Sequence, residues 1–177
     1  MKSIVNSEAL SRRNFLSTTA TLSAGTIALL AGNSALAQGM AGNAAADVGI
    51  LNVALGVEHE AINAYQLGAG SGLLQKPVLD IAVSFQSHHK AHRDALIATI
   101  QKLGGKPVEE KKLDEYAKAL NAASLKSQGD VLDLAARLEL GATNAYIGVI
   151  PAFKDTALAK VAARLAADET MHWTILT

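Results

Sequence analysis

Two stretches of the sequence share one pattern: residues 58–65 read EHEAINAY and residues 139–146 read ELGATNAY. Both fit Glu-x-x-Ala-x-Asn-Ala-Tyr, and they lie 81 residues apart. A second pair of motifs, His89-x-x-His92 and Glu169-x-x-His172, repeats at an offset of 80 residues. We therefore expect two similar units, related to each other by a pseudo-two-fold axis.

Each motif places ionisable groups within the apolar stripe of an amphipathic helix. Glu58, for example, lies between Leu55 and Ile62 on one helix face. The core positions predicted for the four helices, in chain order, are Leu51, Leu55, Glu58, Ile62 and Tyr65; Val78, Phe85, His89, His92, Leu96 and Leu103; Leu132, Ala135, Glu139, Ala142, Tyr146 and Val149; and Leu158, Ala162, Leu165, Glu169, His172 and Leu176. Every predicted seam thus contains titratable side chains.

Capping and breaking residues set the expected ends of these helices. The four predicted helices run from Asp47 to about Leu67, from Pro77 to Gly104, from Asp130 to about Ile150, and from Asp155 to the C-terminus. About 25 residues connect the second helix to the third, and residues 113–123 of this connection are expected to form a short helix. Such a connection can run the length of a bundle, whereas short turns make neighbouring helices antiparallel. We predict an all-α fold, a four-helix bundle of two antiparallel hairpins joined by a long crossover.

The N-terminal region has the features of an export signal. Basic residues precede a mild apolar run over residues 15–30, and the small-residue sequence Ala35-Leu36-Ala37 follows. The pair Arg12-Arg13, followed by Phe and Leu, resembles the twin-arginine translocation signal, which implies export of a folded protein by that machinery.

An ordinary secretory signal and a retained anchor are the alternatives for this region. Polar residues break its apolar run before it reaches the roughly 20 residues that a membrane span needs. We therefore expect a cleaved signal peptide over residues 1–37 and a mature domain over residues 38–177, with a periplasmic or otherwise exported location and no membrane association after cleavage.

The composition excludes several classes of protein. The chain has 177 residues, no cysteine, and 16 basic residues against 16 acidic ones. The absence of cysteine excludes disulfide scaffolds, thiolate zinc sites and iron–sulfur clusters. The balanced charge argues against a nucleic-acid partner. Any bound metal ion must be held by His, Asp or Glu.

The motifs are expected to meet at one height along the bundle. In an antiparallel hairpin, residues equidistant from the turn lie level with each other. Glu58 and the 89/92 pair are centred near residue 74, and Glu139 and the 169/172 pair near residue 155, inside the two predicted turns. Buried carboxylates require a neutralising cation, because an unpaired buried charge costs several kcal/mol. Imidazolium groups and divalent metal ions are both candidates, and a set of carboxylates and imidazoles suits iron, manganese, zinc or copper.

With these motifs the sequence resembles the ferritin-like family, in particular its small members exported by the twin-arginine route. That family surrounds a dinuclear iron or manganese centre with one Glu from each of two helices and a Glu-x-x-His pair from each of the other two. His89 departs from the pattern, because it stands where the family has a bridging glutamate. The metal-binding residues that the resemblance and the spacing indicate are Glu58, His89, His92, Glu139, Glu169 and His172.

Several neighbouring residues have open roles. His88 lies four residues from His92, so His88 could replace His89 as a ligand or support it. Of His59 and Glu60, at most one is expected to reach the centre.

The repeated tyrosines and asparagines are assigned to packing. Tyr65 and Tyr146 follow their glutamates by seven residues, about 10.5 Å along a helix axis. We expect them to be core aromatics with hydrogen-bonded hydroxyl groups, and a redox role or a supporting role beside the ligands is the alternative. Asn63 and Asn144 are expected to form hydrogen bonds between the hairpins.

Three functions remain open at this point. The first is an exported metal-dependent oxidoreductase that acts on oxygen or peroxide, as the resemblance implies. The second is a metal-binding or storage protein without turnover. Storage usually requires a hollow shell, so a monomer or dimer in solution would argue against it, and a homodimer is a possible assembly of this chain. The third is a structural or stress-protective bundle whose His and Glu residues form only ion pairs.

Overall fold

The structure is a computed structural model that describes residues 44–177, and these residues form helices and connecting turns without strands. Its helices are α1 (Ala44–Gly70), α2 (Lys76–Lys102), α3 (Leu113–Ala119), α4 (Gln128–Val149) and α5 (Thr156–Leu176), with single 3-10 turns at Ala122–Ser124 and Ile150–Ala152. The predicted signal peptide lies outside the described residues. No helix among residues 44–177 has the length and apolarity needed to cross a bilayer.

The helices pack as two hairpins. α1 packs along α2, α4 packs along α5, and α1 also contacts α4 and α3. The segment between α2 and α4 contains only the short helix α3 and one 3-10 turn. The predicted all-α bundle of two hairpins joined by a crossover is therefore confirmed.

The helix boundaries mostly agree with the sequence signals. Pro77 lies in the first turn of α2, where its missing N–H has no helical partner to lose. Gly104 ends the same helix with φ of +78°, a conformation that only glycine adopts without strain. At the start of α5, the Asp155 carboxylate accepts a hydrogen bond from the Ala157 N–H at 2.7 Å.

One predicted cap is wrong by three residues. Ser127, rather than Asp130, precedes the first residue of α4. Its hydroxyl accepts the Asp130 N–H at 3.2 Å, and the Asp130 carboxylate accepts the Ser127 N–H at 2.9 Å. These reciprocal bonds form a capping box, so Asp130 supports the helix start from inside the helix.

Asp47 was predicted to cap the first helix, and this prediction is also wrong. The residue lies within α1 and is 4% exposed. Its two oxygens accept the N–H groups of Lys154 at 2.9 Å and Asp155 at 3.1 Å. The carboxylate therefore fastens the first hairpin to the turn that precedes α5, a contact over more than one hundred residues that spacing could not indicate.

The crossover packs against α1. Asn52 donates to the Lys106 carbonyl at 3.0 Å and accepts the Val108 N–H at 2.7 Å. Asn63 donates to Glu110 Oε1 at 2.6 Å, and Asn144 is exposed. The expectation that the repeated asparagines join the hairpins is therefore wrong.

The apolar core has two parts. The larger cluster includes the fully buried Leu55 and Ile100, and the smaller one consists of Tyr65, Ala82 and Phe85. Sequence periodicity missed Ile100. In α4 it selected Leu132, which is half-buried, whereas its neighbours Val131 and Leu134 are buried. Glu58 lies in α1 between Leu55 of the larger cluster and Tyr65 of the smaller one.

We expect Asp47→Ala to lower the free energy of unfolding by about 2 kcal/mol, because two buried N–H groups lose their acceptor. Asp47→Asn retains one oxygen acceptor and should show an intermediate loss. Urea denaturation of both variants in the same metal state measures this. The exposed Asp133 provides the control, and an Asp47→Ala loss equal to that of Asp133→Ala would refute the proposed fastening.

Candidate metal centre

Six side chains form one polar layer inside the bundle. We call them the polar layer: Glu58 from α1, His89 and His92 from α2, Glu139 from α4, and Glu169 and His172 from α5. All six are buried, and His92, the most accessible, is 9% exposed. The structure thus brings together all the residues selected from the sequence. Their role as metal ligands stays a prediction.

His89 lies between two of the carboxylates. Its Nδ1 is 2.8 Å from Glu58 Oε2, and its Nε2 is 3.1 Å from Glu139 Oε1. The same Nε2 lies 3.7 Å from Glu169 Oε2. The His89 ring therefore contacts carboxylates of three other helices.

His92 and His172 approach the layer through their Nδ1 atoms. His92 Nδ1 is 3.1 Å from Glu169 Oε1 and 3.6 Å from Glu58 Oε1. His172 Nδ1 is 3.2 Å from Glu169 Oε2 and 3.4 Å from Glu139 Oε2. Glu169 thus presents one oxygen to each imidazole.

These contacts define two overlapping groups of ligand atoms, each with atoms within 4.8 Å of one another. The first donor set comprises Glu58, His89, His92 and Glu169, and the second comprises His89, Glu139, Glu169 and His172. Each set mixes carboxylate oxygens with imidazole nitrogens, a combination that transition metal ions accept.

Buried polar atoms that make no hydrogen bond indicate whether the site fits a metal ion. Within the described part of the chain, Glu139 Oε2, Glu169 Oε2 and His172 Nδ1 are fully buried and make no hydrogen bond. Native proteins rarely leave buried polar atoms in this state. All three atoms belong to residues of the second donor set and approach one another closely, so the site is compatible with a metal ion.

The tyrosines connect the two hairpins. Tyr65 in α1 donates its hydroxyl to Glu139 Oε1 at 2.5 Å, and Tyr146 in α4 donates to Glu58 Oε1. The prediction of buried aromatics with hydrogen-bonded hydroxyl groups is confirmed. Each tyrosine hydroxyl donates to the glutamate of the other repeat, which lies on a different helix. The distance of about 10.5 Å between each tyrosine and the glutamate of its own helix therefore does not keep the hydroxyl away from the polar layer.

The imidazoles stabilise the ionised carboxylates. Burial alone would raise the pKa of Glu58, but the adjacent His89 and His92 outweigh burial and lower its pKa below the usual value. Burial would likewise raise the pKa of Glu139, and His172 with His89 lowers it.

The carboxylates shift the pKa values of the imidazoles in the opposite direction. Burial would lower the pKa of His89, but hydrogen bonds to Glu139 and Glu58 raise it well above the usual value. In the same way, burial of His92 is outweighed by Glu169 and Glu58, which raises the pKa of His92 to about 10. The pKa of His172 is also raised, since Glu139 and Glu169 outweigh burial. The raised pKa values of the imidazoles and the lowered pKa values of Glu58 and Glu139 thus have one cause, the close contacts between imidazoles and carboxylates.

Two residues contact the outer side of the layer. His88 is exposed on α2, and its Nδ1 lies 3.0 Å from His172 Nε2. His88 therefore lies beside His172, whereas His89 belongs to both donor sets, and which of the two binds a metal ion stays a prediction. Asp168 Oδ2 lies 3.5 Å from His92 Nε2, and sequence analysis missed it. Asp168 directly precedes Glu169 in the sequence, and this adjacency is the signal that could have identified it.

The remaining candidates stay outside both donor sets. His59 and Glu60 are buried in α1, yet neither belongs to a group of ligand atoms among the described residues. Phe85 covers the layer from one side, with its ring stacked on His172 at a centroid distance of 4.1 Å.

An apolar pocket lies beside the layer and ends at Tyr65 and Glu139. The centres of water-sized molecules can occupy about 30 Å³ of this pocket, which gives room for about two waters. Its walls are mainly aliphatic, and they include Ala61, Leu74, Val78, Ala135 and Leu138. A second pocket, of about 10 Å³, includes Ala145 and Tyr146 and does not reach a carboxylate.

Comparisons with known proteins agree with this architecture. The search of solved structures finds a conserved hypothetical protein, rv2844, from Mycobacterium tuberculosis, with a TM-score of 0.61 and 21% sequence identity. The match covers 72% of this chain and 91% of the other chain, and at this identity it shows a common fold. No curated protein sequence matches the chain. The family model described as ferritin-like domain matches residues 46–177, and with the helical bundle around a Glu/His layer this shows that the chain belongs to the ferritin-like domain family.

Proposed function

We propose that the polar layer binds one or two transition metal ions and that the protein is an exported ferritin-like metalloprotein. The observation that carries this proposal is the set of buried donor atoms without hydrogen bonds: Glu139 Oε2, Glu169 Oε2 and His172 Nδ1. Iron and manganese are the first candidates, and zinc and copper are compatible with the same donors.

The residues of the layer would hold the ions in a fixed environment. Glu169 offers one oxygen to each donor set, while the Tyr65 and Tyr146 hydroxyls hold the single glutamates from the side. Such supporting hydrogen bonds orient ligands and tune metal affinity. When bound, an iron or manganese ion supplies redox chemistry that protein side chains lack.

We further propose an oxygen- or peroxide-active oxidoreductase, and the apolar pocket favours this activity. The pocket ends at Glu139 and Tyr65, and its aliphatic walls suit small uncharged molecules better than ions. The surrounding side chains exclude bulk water from the layer, since five of its six residues are at most 2% exposed.

A structural bundle held by ion pairs is the second candidate function. It is favoured by the contacts of 2.8 to 3.4 Å between the three imidazoles and the three carboxylates of the layer. The two candidates differ in what the three buried atoms meet. In the structural bundle they form only the ion pairs of His172 with Glu169 and Glu139 at 3.2 and 3.4 Å, whereas in a metalloprotein they would bind a cation.

Export through the twin-arginine route is part of the proposal. Arg12 and Arg13, the apolar run after them and the small residues up to Ala37 support it. Such a route suits a protein that folds around its metal ion before export. We expect to find the wild-type protein in the periplasmic fraction. The Arg12→Lys/Arg13→Lys variant should be absent from this fraction.

Metal binding should stabilise the fold. At a free metal concentration of about 100 times Kd, the free energy of unfolding should rise by about 2.7 kcal/mol. Glu169→Leu/His172→Phe should abolish this gain, while the metal-free variant is as stable as the metal-free wild type or more stable, because a buried ion pair has been replaced by apolar groups. Thermal denaturation with and without Fe²⁺ or Mn²⁺, combined with elemental analysis, measures both effects.

The exposed Glu115, located in α3, provides the matched control. Glu115→Gln should retain the metal-dependent gain in full. A wild-type protein that binds no stoichiometric metal ion and gains no stability would contradict metal binding and favour the structural bundle.

The tyrosine hydroxyls should increase metal affinity. Tyr65→Phe and Tyr146→Phe each remove a hydrogen bond to a ligand carboxylate, and we expect affinity to fall about 10- to 100-fold. Competition with a chromophoric chelator measures the change. Tyr116→Phe removes a tyrosine hydroxyl of the crossover instead, and an equal loss in this control would refute the assigned role.

Filling the apolar pocket should slow the reaction without removing the metal. We expect Ala135→Leu to retain the metal content while the oxidation of bound Fe²⁺ by oxygen or peroxide slows several-fold. Ala145→Leu makes the same change on the same helix, in the pocket that does not reach a carboxylate. Stopped-flow absorbance compares the two, and equal rates in both variants would exclude this pocket as the route.

A further inference from the structure

His89 differs from the other two imidazoles of the polar layer. His92 and His172 turn only Nδ1 toward the carboxylates of the polar layer, because their Nε2 atoms face two residues outside the layer, Asp168 at 3.5 Å and His88 at 3.0 Å. His89 turns both nitrogens inward, and its side chain is 1% exposed. Both nitrogens of His89 therefore face carboxylates of the polar layer.

Each nitrogen of His89 faces a different donor set. Nδ1 lies 2.8 Å from Glu58, which belongs only to the first set, and Nε2 lies 3.1 Å from Glu139, which belongs only to the second. The two sets share only His89 and Glu169. The His89 ring consequently stands between the two groups of ligands.

We infer that the two donor sets are two neighbouring metal positions joined through the His89 imidazole, with each ring nitrogen binding one cation. This inference rests on the proposed metal binding and adds the bridging group. A carboxylate occupies the bridging position in the family pattern, so an imidazole bridge is a property of this chain and not of the fold.

The charge of the layer agrees with this arrangement. An imidazole that binds two cations carries no ring proton and is an anion, and each nitrogen releases its proton to solvent as the cation binds. Together with the carboxylates of Glu58, Glu139 and Glu169, a bridging imidazolate supplies four negative charges. Two divalent cations balance these four charges while His92 and His172 remain neutral ligands.

Copper(II) is a suitable probe of the bridge, because two Cu²⁺ ions joined by an imidazolate are magnetically coupled. We expect the wild-type chain, desalted after loading, to bind two Cu²⁺ ions by elemental analysis. Its low-temperature EPR intensity should account for much less than the copper present. This measurement needs no variant.

Variants identify the bridging residue. His89→Gly should restore the EPR intensity of the bound copper, and free imidazole added to this variant should reduce the intensity again by filling the vacated position. His59→Gln removes an imidazole that belongs to neither donor set, and this variant should keep the coupling of the wild type.

The outcomes separate this inference from the proposed function. Absence of specific copper binding would overturn both. One ion per chain, or two ions with full EPR intensity, would overturn the bridge and leave metal binding intact. Coupling that persists in His89→Gly without imidazole would assign the bridge to Glu169 and also overturn the inference.

Discussion

The burial of three carboxylates at one height of the bundle is the constraint on which the rest of the structure depends. Each would cost several kcal/mol if it were left unpaired, so the surrounding helices must supply positive charge and hydrogen-bond donors. The polar layer does this with three imidazoles and two tyrosine hydroxyls. Glu139 Oε2, Glu169 Oε2 and His172 Nδ1 make no hydrogen bond there, and their close approach is compatible with a metal ion.

The same constraint explains how the two hairpins are held together. Tyr65 reaches from the first hairpin to Glu139, and Tyr146 reaches from the second to Glu58. Asp47 adds a third connection at the end of the bundle through the N–H groups before α5. The large apolar cluster also contains residues of both hairpins, and the directional bonds join specific atoms across them. The geometry of the layer is therefore coupled to the packing of the whole bundle.

The layer is closed on most sides but has two distinct surroundings. One side carries polar partners, because His88 and Asp168 contact the outer nitrogens of His172 and His92. The other side borders an aliphatic pocket that ends at Glu139. The layer thus has polar partners on one side and aliphatic side chains on another.

Much of this protein follows from the sequence alone. The internal repeat and the helical spacing determined the all-α bundle, the two hairpins and the six residues of the layer, since residues three or four apart share a helix face and residues equidistant from a turn lie level. Local signals also identified Pro77 and Asp155 as helix starts. The tertiary structure alone decided which tyrosine bonds which glutamate, where the Asp47 carboxylate is used, and that His89 faces two donor sets while His88 stays outside. These are contacts between helices, and the rotation of one helix against another depends on the packing of all side chains together rather than on the spacing within any one of them.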